Sequence, residues 1–141
     1  MKSQSKKYIN QNPGLKKGYD KIFKGILLFG NIPWVIIAIG ELTGITNGLQ
    51  DYFNPKSLNP LVLIFHFYIL LIWVLSVHWI FFKDGADFLA QHPGLISYRR
   101  FNNSNDITSS KDIKILFALA LFGTIGILAM MWLLDFPTMI K

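Results

Sequence analysis

The chain contains no cysteine, which excludes disulfides and thiolate metal sites at the outset. It also lacks a Gly-rich phosphate loop, a His-Glu-x-x-His pair and a Gly-x-Ser-x-Gly elbow. Charge is scarce, at 16% of residues. No Asp, Glu, Lys or Arg falls in the central part of any of three long apolar runs, at about 22–39, 61–82 and 113–134. Transporters and proton pumps keep such a residue near the bilayer midplane, so an autonomous transporter is disfavoured.

What the chain has in abundance is apolar surface. Hydrophobic residues make up 52% of it and aromatic residues 15%. A hydrocarbon slab ~30 Å thick needs about 20 residues of helix to cross it, and each run meets that length. The composition therefore predicts an all-α integral membrane protein with three transmembrane helices and one membrane domain, 1–141. Its parts are a basic cytoplasmic segment (1–21), span 1 (22–43), an outer loop (44–59), span 2 (60–83), a cytoplasmic connection (84–112), span 3 (113–134) and an outer tail (135–141).

The basic residues sort by segment. Lys2, Lys6, Lys7, Lys16, Lys17, Lys21 and Lys24 precede or open the first run, and Lys83, Arg99, Arg100, Lys111 and Lys114 surround the second connection. Only Lys56 and Lys141 fall on the other two segments. The positive-inside rule puts the N-terminus and second connection in the cytoplasm and the C-terminus outside, in a multi-pass protein of the plasma (inner) membrane. Topology accounts for the net charge of +6, so no nucleic-acid partner is expected. Lys16, Lys17, Lys21 and Lys24 would meet anionic lipid headgroups instead.

Local signals place the elements. Residues 1–12 read as a polar tail, and Asn12-Pro13 as a helix start. From there a short amphipathic helix is expected to lie on the inner leaflet before the chain turns in. Ala38-Ile39-Gly40 resembles a processing site, but the leader is long and polar and Asn31 and Pro33 interrupt the run, so an uncleaved span is expected. Pro33 predicts a kink and frees the carbonyl of Phe29. Asn31 carries an amide that should face another helix. Asn59-Pro60 repeats the start signal, and the second helix is expected to run on through residue 91, stopped by His92-Pro93-Gly94. The stretch 97–110 reads as an exposed loop, with Ser109 and Asp112 at capping-box spacing. Ala120, Gly123, Gly126 and Ala129 follow at i+3 steps, a row expected to form a packing seam among the three helices rather than a homodimer face. Trp34 and Trp73 are expected to pack between helices.

Two constellations carry possible chemistry. His66 and His78 lie on the second run, where a haem or quinone site is the tempting reading. They are ~18 Å apart along a helix and ~120° around it, so they cannot ligate one centre together. Neither other run supplies a histidine, and no cofactor is expected, with haem b on His66 or His78 as the alternative. Asp84, Asp87 and His92 could hold a divalent metal ion if one helix face carried both carboxylates. The shared Gln-x-Pro-Gly-Leu of 11–15 and 91–95 reads as turn chemistry.

The resulting expectation is a non-enzymatic accessory, assembly or regulatory subunit, bound to a membrane-protein partner or to its own copies by helix–helix contacts. The alternatives are a haem- or quinone-associated electron-transfer subunit and a pore-forming or immunity-type small membrane protein.

Overall fold

A computed structural model describes residues 2–100, 103–106 and 109–134. The tail 135–141 and the tip of the connection lie outside the described residues. The elements run α1 (Lys2–Gln11), α2 (Lys16–Leu42), α3 (Pro60–Phe82), α4 (Gly85–Ala90), β1 (Ser97–Arg100), β2 (Asn103–Asp106) and α5 (Ser110–Leu133). Three segments are helices long and apolar enough to cross a membrane: 13–42, comprising α2 and the turn leading into it, then α3, and then α5.

Helix starts follow from local chemistry. The Asn12 side chain accepts a hydrogen bond from the Gly14 amide at 3.2 Å, and Pro13–Leu15 forms a 3₁₀ turn that feeds directly into α2. At Asn59 the carboxamide oxygen accepts from the Leu61 amide at 3.0 Å, satisfying one of the orphan donors at the start of α3. Ser109 receives the Asp112 amide at a long 3.5 Å.

The structure corrects four expectations. Residues 2–11 form a helix rather than a tail, because the lysines and glutamines there are good helix formers. Helix α2 continues unbroken from Lys16 to Leu42, so the stretch after Asn12-Pro13 is not a short surface helix separate from the apolar one. The helix after Pro60 does not reach residue 91. It ends at Phe82, Asp84 adopts a left-handed conformation (φ 53°), and α4 starts afresh at Gly85. A Cβ on Gly85 would fall 2.7 Å from the Trp79 carbonyl oxygen, so only glycine permits this return of the chain onto the end of α3. The polar stretch expected as a loop holds a two-stranded antiparallel hairpin, pairing Ser97 with Asp106 and Arg100 with Asn103.

The chain divides into two compact units, Met1–Leu27 with Ser76–Leu119 and Leu28–Leu75 with Ala120–Lys141. In the first, Ile80, Ala86 and Ile113 form a core with Leu89, Ala90, Ile96 and Phe117 against it. In the second, Ile37, Tyr52 and Val62 form the core, flanked by Ile36 and Phe65. Residues 43–59 are more than a turn-rich link: 3₁₀ turns at Leu49–Phe53 and Pro55–Ser57 deliver the buried Tyr52 and Pro55.

Candidate functional site

The first unit gathers its polar groups around Tyr19. That ring is fully buried, and its hydroxyl donates to the Pro93 carbonyl at 2.6 Å. The His92 ring stands edge-on to Tyr19 with centroids 5.2 Å apart and lies 4.3 Å from Phe88. His92 Nδ1 is 2.6 Å from the Phe88 carbonyl oxygen. A Cβ on Gly18 would collide with His92 Nε2, so this histidine rests directly on the α2 backbone.

That arrangement does not bring together the metal-binding set considered from the sequence. His92 is turned inward and buried, whereas Asp84 and Asp87 are exposed. The left-handed Asp84 precedes α4 instead of sharing a helix face with Asp87. Among the described residues, no group of three His, Cys, Asp or Glu side chains is placed to hold a metal ion.

In the second unit Pro33 has the consequence its chemistry requires. Proline at 33 cannot donate to the carbonyl of Phe29, and the Tyr68 hydroxyl donates to that oxygen at 2.6 Å. The orphan acceptor on α2 is thus satisfied from α3; an unpaired carbonyl is costly wherever water cannot reach it. Tyr52 likewise donates to the Ile36 carbonyl at 3.1 Å. Lys56 reaches the Leu133 carbonyl at 3.1 Å, capping the C-terminal end of α5 with a positive charge.

His66 is 2% exposed, and neither ring nitrogen has a hydrogen-bond partner among the described residues. Its ring lies 5.6 Å from Phe65 and 6.0 Å from Trp132. His78, by contrast, is exposed and stacks on Phe82 at 6.0 Å. The two histidines occupy different units.

The small-residue row of α5 is not buried inside the chain. Ala120, Gly123, Gly126 and Ala129 are all exposed, and a Cβ on Gly123 or Gly126 would meet nothing within 4 Å. The packing seam expected among the three helices is therefore absent at these positions. Asn31 is exposed on α2 and makes an interaction within the protein. Trp34, expected between helices, is 61% exposed, while Trp73 is half-buried. Sequence reasoning did not anticipate the hydrogen bonds that Tyr19, Tyr52 and Tyr68 donate to backbone carbonyls. Only the Phe29 carbonyl, freed by Pro33, announced that a donor was needed.

Compared with known protein families, curated proteins and solved structures, the chain matches none.

Proposed function

We propose that this chain is a multi-pass protein of the plasma (inner) membrane, with its N-terminus in the cytoplasm and its C-terminus outside. It has no catalytic centre of its own and acts as an accessory, assembly or regulatory subunit that docks α5 against a membrane-protein partner. The observation that carries this reading is the exposed row Ala120, Gly123, Gly126 and Ala129. Small side chains let two helix backbones approach closely, and such approach drives association where lipid and side chain are equally apolar. Among the described residues nothing comes within 4 Å of a Cβ placed at Gly123 or Gly126.

The absence of cysteine makes a direct test practical. Single cysteines introduced at Gly123 and, for comparison, at the exposed Phe122 would be cross-linked in native membranes. A discrete adduct from position 123, weak from 122 and lost when Gly126→Leu is added, supports the reading. Equal yields from both positions, or no adduct from either, count against it.

A second reading rests on His66. Its buried imidazole has no hydrogen-bond partner among the described residues, and either ring nitrogen has the chemistry to ligate a haem iron or bond a quinone oxygen. It predicts a coloured preparation whose Soret band disappears in His66→Ala and survives in His78→Ala. A colourless protein from native membranes removes it.

A further inference from the structure

We infer that the first two turns of α2 form a binding face for the headgroups of anionic phospholipids, with its rotational setting locked by Tyr19. The inference rests on the reading of α2 as a membrane span and adds to it a specific partner. At ~100° per residue, Lys16, Lys17, Lys21 and Lys24 fall within about 140° of helix arc. All four are exposed, and none pairs with a carboxylate among the described residues. The one acidic residue in that arc is Asp20, also exposed.

The opposite side of the same turns is the packed one. Tyr19 is buried there and tied to the Pro93 carbonyl, Gly18 lies against His92, and Ile22 and Phe23 are half-covered. The helix therefore cannot turn its lysines toward the protein. Directly above Lys24 begin Ile26 and Leu27, apolar and exposed at 52% and 67%. Lys17 to Lys24 spans about 10 Å of rise, so ammonium groups stand at successive depths beside an apolar surface. Lysine stems can lie along that surface while the charges stay in the headgroup layer. A ladder at the boundary of an apolar helix fits a phosphate carried on acyl chains better than a soluble anion.

The test reconstitutes the full chain into vesicles of zwitterionic phospholipid alone and with anionic phospholipid added, then counts retained lipids by native mass spectrometry after mild extraction. The wild type should retain anionic over zwitterionic lipid. Replacing Lys17, Lys21 and Lys24 with Gln should lower that preference by roughly fivefold per lysine. Arg at the same positions should preserve it, which separates charge from misfolding. Equal retention by wild type and the Gln variant overturns the proposal, as does complete displacement of the lipid by excess inorganic phosphate. Failure of the protein to float with either vesicle would instead overturn the membrane-span reading beneath it.

Discussion

The two units of the chain invite comparison because each uses tyrosine hydroxyls on backbone carbonyls, yet to different ends. In the first, Tyr19 secures the Pro93 turn, and the close approaches at Gly18 and Gly85 leave no spare volume. In the second, Tyr68 repairs the acceptor that Pro33 frees, while His66 goes unsatisfied and the glycines of α5 face open space. Charge divides the same way. Ten of the described lysines fall in the first unit and only Lys56 in the second, which also holds Glu41 and Asp51. The first unit is tightly packed around Tyr19 and turns its lysines outward, whereas the second keeps buried polar atoms at Thr46, Asn54 and His66 without a hydrogen-bond partner among the described residues.

Glycine substitutions break the comparison hardest. Gly85→Ala should destabilise the first unit by about 2–3 kcal/mol, because the new methyl meets the Trp79 backbone. Gly18→Ala should cost about 1–3 kcal/mol by displacing His92 from its place between Tyr19 and Phe88. The same change at Gly123 or Gly126 should be neutral or stabilising by up to ~1 kcal/mol in the isolated protein, since alanine is the better helix former. Thermal unfolding of the four variants in detergent micelles checks all of these together. Equal losses at all four sites would erase the distinction between the units.

A double-mutant cycle sharpens the account of the second unit. Tyr68→Phe leaves the Phe29 carbonyl without its donor and should cost about 1 kcal/mol. In a Pro33→Ala background the restored amide at position 33 can bond to that carbonyl, so the same change should cost close to nothing. Absence of coupling between the two substitutions would mean that the tyrosine contributes by packing alone.

His66→Phe is expected to be neutral or to stabilise by about 1 kcal/mol, because it removes polar atoms that lack partners and keeps a ring against Phe65 and Trp132. Marked destabilisation would show that the imidazole has a polar role. The smallest effect belongs to Lys56→Met, which deletes one charge-assisted cap on α5 and should cost about 0.5–1 kcal/mol, again read from unfolding in micelles.

Much of the secondary structure was legible from the chain because it depends on local rules. Each apolar run gives a helix, and Asn12-Pro13 and Asn59-Pro60 act as the start signals their chemistry implies. What sequence could not supply was tertiary. Lys83 and Asp84 carry no strong helix breaker, and the stop there depends on α4 folding back onto Trp79. The row Ala120–Gly123–Gly126–Ala129 has the pattern of a helix contact, but pattern cannot say whether the contacting helix belongs to the same chain. The glycines that do meet close neighbours, Gly18, Gly40 and Gly85, follow no such pattern. At Gly40 the neighbours are the Tyr52 hydroxyl and the Thr46 side chain, far away in any periodic reading. The lysine face was visible as a cluster, whereas its continuity with α2 and its fixed orientation required the Tyr19 and His92 contacts.

The central claim is that lipid surrounds the apolar helices, and labelling of single cysteines in intact cells tests it most directly. Three positions suffice: Lys17→Cys, Leu28→Cys and Gly48→Cys, of which Leu28 is 65% uncovered by protein. With a membrane-impermeant maleimide, position 48 should react in intact cells, position 17 only after permeabilisation, and position 28 in neither case. Labelling of position 28 at the rate of position 48 would show that water, not hydrocarbon, covers α2, and would contradict the account.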